Sequence, residues 1–256
     1  MSKCDLYNTS AMAAGYANSR PAVHPRIIEM VRQRLRLTRR LDCALDVGCG
    51  AGLSTRPLEL IARHCVGIEP AEAMLKWSSR VAPNASFAVG AAEALPVRSH
   101  SIDIITAAGS LNYADLSLFF PEAARVLAPG GVLVIYDFSE GRNFRGPVSL
   151  DTWYSEFLRR YPRPSGSGHE ISPESLGSPG SGFRLSGHEY FEIGLRLNPD
   201  SYLDYVMTET NVAQAVWNGV SEREIRAWCA GTLALVFQGE AREVLFRGYV
   251  AWLVAE

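Results

Sequence analysis

The stretch "LDVGCGAG" (residues 45–52) ends an apolar run with Asp46 in it and then places glycine at three alternate positions, Gly48, Gly50 and Gly52. Glycine costs backbone entropy, so a cluster of it marks a place where the chain takes left-handed angles or is approached closely. The run before it, "CALDV" (43–47), reads as a strand, and "STRPLELIARH" (54–64) after it reads as a helix capped by Ser54 with Pro57 in its first turn. A glycine turn between a strand and a helix lies at the carboxyl edge of a parallel sheet, where open α/β sheets bind ligands.

Working outward, four more short apolar runs follow: "CVGIE" (65–69), "SFAVG" (86–90), "IDIITAAG" (102–109) and "GVLVIYDF" (131–138). Nearly continuous apolar strands that alternate with helical stretches predict a parallel sheet covered on both faces. After Phe138 the rhythm changes. "DTWYSEFLRRY" reads as a helix, and the Gly-, Pro- and Ser-rich residues 162–182 read as a long mobile loop. "HEYFEIGLRL" (188–197) and "REVLFRGYVAWLVA" (242–255) read as strands flanking two helical stretches. The expected fold is α/β, doubly wound and Rossmann-like: a mostly parallel seven-stranded sheet with an antiparallel edge addition and a helical lid. One domain is expected over residues 1–256. It comprises an N-terminal helical cover (1–40), a cofactor-binding core (41–138), the loop, lid helices and an edge strand (139–241), and the final strand (242–256).

The 256 residues are 47% hydrophobic and 20% charged, with a formal net charge of −2, which is the composition of a globular chain without general attraction to polyanions. A small-molecule partner is expected rather than nucleic acid or a membrane surface. Five scattered cysteines (Cys4, Cys43, Cys49, Cys65, Cys229) without CxxC spacing suggest neither a disulfide framework nor a zinc site. The five histidines show no metal spacing, so no metal is expected. With no signal-peptide or membrane-span pattern, the expected location is cytoplasmic.

Glu69 closes the second strand, where a carboxylate can accept hydrogen bonds from both hydroxyls of a ribose. A dinucleotide fingerprint fails, because aligning Gly48 and Gly50 with G-x-G-x-x-G puts Leu53 at the third glycine. Asp46 would also repel a pyrophosphate. A cofactor with a cationic part and an adenosine is favoured over a nicotinamide.

The blocks "ALDVGCGAGLST" (44–55), "VGIEPAEAML" (66–75), "GAAEALP" (90–96), "SIDIITAAGSLNYAD" (101–115) and "EAARVLAPGGVLVI" (122–135) resemble the class I S-adenosylmethionine-dependent methyltransferases. Within them they resemble the subgroup of ubiquinone/menaquinone biosynthesis and natural-product enzymes. The resemblance implies that Asp46, Gly48, Gly50 and Gly52 shape the methionine pocket, that Glu69 holds the ribose and that Pro70 packs near adenine. It implies backbone carbonyls of Ala107 and Ala108 at the methionine amine. Relatives often carry an aspartate at the position of Ala91. Here the backbone N–H of Ala92 remains for a ring nitrogen, and Glu93 or a carbonyl replaces the contact to the adenine amine. "YANSRPAVHP" (16–25) resembles the subgroup's lead-in, which brings Tyr16 and Arg20 toward the methionine carboxylate.

On the acceptor side, Asn112, Tyr113 and Asp137 follow the fourth and fifth strands and face the substrate if the layout holds. His169 and His188 flank the loop as weaker general-base candidates. Tyr202, Tyr205, Met207, Trp217 and Trp228 line either a pocket or the core. The cluster Arg32, Arg34, Arg36, Arg39 and Arg40 reads as a solvated helix face. The function implied is methyl transfer from S-adenosylmethionine to a small organic molecule, at oxygen, leaving S-adenosylhomocysteine. The alternative is cofactor binding without methyl transfer, as in a cyclase, a decarboxylase or a regulatory protein.

Overall fold

The computed structural model describes residues 7–146, 148–164, 171–177 and 181–256. Five parallel strands, β1 (Leu41–Val47), β2 (Ala62–Glu69), β3 (Ser86–Val89), β4 (Ile102–Ala108) and β5 (Leu127–Phe138), lie in the order β3-β2-β1-β4-β5. The final strand β8 (Arg242–Ala255) pairs antiparallel with β5 along one edge and with β7 (Phe183–Leu197) along the other. A two-residue strand, β6 (Asn143–Phe144), also pairs with β8, which makes eight strands among the described residues where seven were expected. The sequence pattern cannot show a two-residue strand, because it has no period.

Alternate residues of β1, β4 and β5 enter different cores. Ala44, Ile104, Val134 and Tyr136 face one cluster, and Leu45, Ile105, Leu133 and Ile135 face the other. This period-2 division with both sets apolar is why the strands read as unbroken runs. The first face is covered by α2 (His24–Arg34), α5 (Asp151–Arg160), α6 (Pro199–Val206) and α8 (Glu222–Phe237). The second is covered by α4 (Leu116–Val126) with Ile171, Leu176 and Phe183. A small third cluster joins Met12 and Ala13 of α1 (Ser10–Ser19) to Ala51 in the glycine turn and to Ala73 and Met74 of α3 (Glu72–Val81). The N-terminal helix is therefore seated on the turn itself. One further helix, α7 (Thr210–Trp217), leads from α6 toward α8.

Two expectations change. The helix after Ser54 is only a 3₁₀ turn, Arg56–Leu60, because β2 already begins at Ala62 and the Ser54 hydroxyl donates to Asp46 instead of capping. Within residues 162–182, the described part is not a loop throughout: Pro173–Ser175 is a 3₁₀ turn, and Ile171 and Leu176 are buried. Among the described residues, no helix is long and apolar enough to cross a membrane and no group of side chains could hold a metal ion.

Candidate functional site

The question raised by the glycines has a divided answer. All three have positive φ: +71° at Gly48, +53° at Gly50 and +89° at Gly52. What approaches them differs. A Cβ on Gly48 would lie 2.3 Å from Cβ of Ser110, and one on Gly52 would lie 3.2 Å from the backbone of Ser78. Gly50 alone is open, with the Tyr16 ring as its nearest neighbour at 4.0 Å. The turn is clamped to β2 by N–H groups of Gly48 and Cys49, which donate to the Ile68 carbonyl at 2.8 and 3.0 Å.

Asp46 is fully buried and accepts from the hydroxyls of Ser54 and Thr55 at 2.7 Å each and of Thr106 at 3.0 Å. Burial raises its pKa, and these three donors counter it in part. Its carboxylate thus holds the turn together from inside. Glu69 stands at the end of β2. Its Oε2 accepts from the Gly50 N–H at 3.0 Å and its Oε1 from the Ala71 N–H at 2.9 Å. Burial raises its pKa, against the pull of these two N–H groups. Each carboxylate oxygen has capacity for a second donor, so Glu69 suits a ligand that brings two neighbouring hydroxyls.

A cleft of about 310 Å³ opens at this turn. Tyr16, Gly48, Gly50, Glu69 and Pro70 line it from one side, and Ala91, Ala92, Glu93, Ala108 and Tyr113 from the other. Asp46, Gly52 and Ala107 line no part of it: all three are buried, Asp46 and Gly52 at the turn and Ala107 on β4 beside Val47. Glu93 lines the cleft while its Oε1 accepts from the Asp115 N–H at 2.8 Å.

A second cavity of about 770 Å³ adjoins the first, and Tyr7, Tyr16, Ala108, Gly109 and Tyr113 line both. Arg20, Asn112 and Asp137 belong to this second space. Asp137 accepts from Asn112 Nδ2 at 2.9 Å and, through Oδ1, from the Phe138 N–H at 2.8 Å. Arg20 lies over the rings of Tyr16 and Tyr205, at 4.4 and 5.2 Å, and its Nη2 is 3.2 Å from Glu209 and 3.0 Å from the Thr208 carbonyl. Burial disfavours its charge, but Glu209 together with Tyr16, Tyr205 and Tyr7 outweighs burial, so its pKa is raised and the guanidinium stays protonated.

Among the residues of the second cavity that sequence reasoning missed are Tyr7, His24, Glu209 and the arginines Arg142, Arg163 and Arg247. His24 Nδ1 is 2.9 Å from the Tyr136 hydroxyl, and burial, aided by Arg20, lowers its pKa to about 4. The signal for His24 was its place beside the Tyr16 and Arg20 block; nothing local marked Arg142. His188 lies on β7, 3.4 Å from Glu174, and lines neither cavity, while His169 and Cys4 lie outside the described residues. Tyr202 and Tyr205 are buried in the core, and Trp217 is 66% exposed. Of the arginine cluster, Arg32 pairs with Glu29 on the surface of α2 at 2.7 Å.

Residues 45–135 match a methyltransferase domain family, and this segment carries the end of β1, β2 to β4, most of β5 and the lining of the cleft apart from Tyr7 and Tyr16. Over that segment the chain is similar to methyltransferases. An uncharacterized methyltransferase of Mycobacterium tuberculosis is 31% identical over 133 residues, which are 52% of this chain and 53% of that protein. The ubiquinone/menaquinone biosynthesis C-methyltransferase of Campylobacter jejuni is 32% identical over 103 residues, 37% of this chain and 44% of that one. The chain therefore spans about half the length of the curated relatives it matches. A structure described as that of a type II methyltransferase from Anaeromyxobacter dehalogenans superposes with a TM-score of 0.68 at 25% identity, covering 88% of this chain and 94% of the other.

Proposed function

We propose that this chain binds S-adenosylmethionine in the smaller cleft and methylates a hydroxyl of a small organic acceptor held in the larger cavity. The observation that supports this most is Glu69, fixed between two backbone N–H groups at the wall of a cleft that opens into a second, polar space. When bound, S-adenosylmethionine supplies a methyl group activated by a sulfonium, ready for in-line displacement.

The residues of the chain do the rest by position. Glu69 accepts from the ribose hydroxyls, and Pro70, Ala91, Ala92 and Glu93 flank the adenine. The open face of Gly50 and the left-handed turn at Gly48 leave room for the methionine part, and the Ala108 carbonyl and Arg20 meet its ammonium and carboxylate. Asp46, Gly52 and Ala107 support that wall from behind. Asn112 and Tyr113 orient the acceptor. Asp137, steadied by Asn112 and by the Phe138 N–H, would take the proton that the acceptor hydroxyl gives up on methylation. Holding nucleophile and methyl in line is worth roughly 7–11 kcal/mol, so orientation outweighs any single proton transfer. The reading places the protein in the cytoplasm, with a small molecule as its partner.

The test is calorimetric titration with S-adenosylmethionine, S-adenosylhomocysteine and NADH, repeated in Glu69→Ala. The two sulfur compounds should bind at micromolar strength, about −8 kcal/mol, and NADH should not. Losing two charge-assisted hydrogen bonds in Glu69→Ala should weaken binding by about 2–4 kcal/mol. Failure of both sulfur compounds to bind overturns the reading. Binding without release of S-adenosylhomocysteine across an acceptor panel would leave the cofactor site and remove methyl transfer.

A further inference from the structure

The larger cavity has an uneven distribution of charge. Asp137 lies beside Gly109, which lines both spaces, and Glu209 pairs with Arg20. Elsewhere its wall carries Arg142, Arg163 and Arg247, none of which lines the smaller cleft, against the single carboxylate of Glu140. Glu140 holds two of these guanidinium groups at once. Its Oε2 accepts from Arg142 Nε and Nη2 at 3.0 and 2.6 Å, and its Oε1 accepts from Arg163 Nη2. Arg142 is further fixed over the Tyr154 ring at 4.8 Å. The partner of Arg247 is Glu192, at 2.9 Å, which lies outside the cavity wall and also pairs with Arg145.

A guanidinium has five N–H donors, so arginines that spend one or two on a carboxylate retain others for a ligand. The side chains of Arg142, Arg163 and Arg247 are 33%, 42% and 55% exposed, whereas those of Arg20 and Glu209 are 18% and 10% exposed. The three arginines therefore form the wetter rim of the cavity, with two of their forks held in place in advance by one carboxylate. That arrangement suits a planar or tetrahedral oxyanion, which arginine forks bind in bidentate fashion.

We propose that this rim is an anion-binding subsite and that the methyl acceptor is a small molecule with a carboxylate or phosphate at one end and its methyl-accepting hydroxyl at the other, beside Asp137. The proposal rests on the reading of the smaller cleft as the methyl-donor site, because that reading fixes which end of the cavity reacts. The rim selects the acceptor by charge while the Asp137 end handles its proton.

The experiment uses the whole chain saturated with S-adenosylhomocysteine and titrated with benzoate, phenyl phosphate and the uncharged benzamide. At least one of the two anions should bind about tenfold more tightly than benzamide, and the stronger of them identifies the headgroup. The double variant Arg142→Gln/Arg163→Gln should lose that preference while binding S-adenosylhomocysteine as the wild type does, which shows that the fold is intact. Equal binding of benzamide, no binding of either anion, or an unchanged preference in the double variant overturns the subsite. If S-adenosylhomocysteine itself does not bind, the donor-site reading fails separately, and the anion preference is read on the ligand-free chain with the same variant.

Discussion

Gly48 and Gly50 are two residues apart and do different work. At Gly48 an added methyl would collide with Ser110, whose hydroxyl donates to the Val47 carbonyl at 2.6 Å, so the glycine lets β4 and β1 close at their carboxyl ends. At Gly50 the space is open toward Tyr16 and the cleft. Gly48→Ala should therefore destabilise the fold by about 3 kcal/mol, from overpacking added to left-handed strain. Gly50→Ala should cost only the strain, about 1–2 kcal/mol, but should weaken S-adenosylhomocysteine binding through the methyl it puts in the cleft. Urea midpoints and calorimetry on the two variants check this; equal affinity of Gly50→Ala and wild type would make that glycine a turn residue only. The sequence made the cluster and Glu69 legible, because glycine and acid spacing are local. It did not show that two of the three glycines meet protein. Their neighbours Ser110 and Ser78 are distant in sequence and share no pattern with the turn. Nor did the sequence show how Asp46 is held: its three hydroxyl partners come from Ser54 and Thr55 after the turn and from Thr106 of β4, and they take the carboxylate inward.

Whole elements were legible where both faces of a strand are buried, which holds for β1, β2, β4 and β5. The 3₁₀ turn at Arg56–Leu60 was not, since its helical composition is overridden by the early start of β2. The larger cavity was hidden more deeply, because it is built from the ends of many elements. The N-terminal helices show the consequence. α2 begins at His24, whose Nδ1 is bonded to the β5 hydroxyl of Tyr136 at 2.9 Å, with its ring edge-on to Phe138 at 5.4 Å. Its pKa is lowered from 6.5 to about 4 in the fold, so the folded state binds the proton more weakly than the unfolded chain does. The stability this contributes is fully present above pH 6.5 and is lost as pH falls toward 4, by about 3 kcal/mol at pH 4. Asp46 and Glu69 act with the opposite sign. Burial raises their pKa values, so the folded state takes up their protons more readily and gains stability on acidification. The raw pH profile therefore mixes the two effects, and the difference from His24→Gln isolates the histidine. Urea melts of both proteins at several pH values from 4 to 7 should show the advantage of the wild type shrinking on acidification; a constant difference would mean that His24 titrates as it does in the unfolded chain.

At the scale of the molecule, the sheet is completed by β8, which enters antiparallel between β5 and β7 and so joins the second half of the chain to the parallel core. Its apolar and aromatic residues show no clear alternation, and burial on both faces explains why. The tightest point of this join is Gly248, paired with Phe138 on one side and Phe191 on the other. A Cβ there would lie 2.0 Å from the Asp137 carbonyl and 2.8 Å from Cα of Phe138, both backbone atoms in a sheet interior. Neither can give way without opening the β5–β8 ladder. The same backbone carries the Asp137 side chain into the larger cavity, which Gly248 itself lines. Gly248→Ala should therefore destabilise by about 3 kcal/mol and reduce acceptor turnover further by shifting Asp137. Gly231 on the exposed face of α8 is the matched control: nothing lies within 4 Å of an added Cβ, and Gly231→Ala should stabilise by about 1 kcal/mol. Urea midpoints moving in opposite directions for one and the same methyl group would locate the joint between the halves of the chain at β8. If Gly248→Ala moved no more than a surface substitution does, the ladder would have slack there and the position of Asp137 would not depend on it.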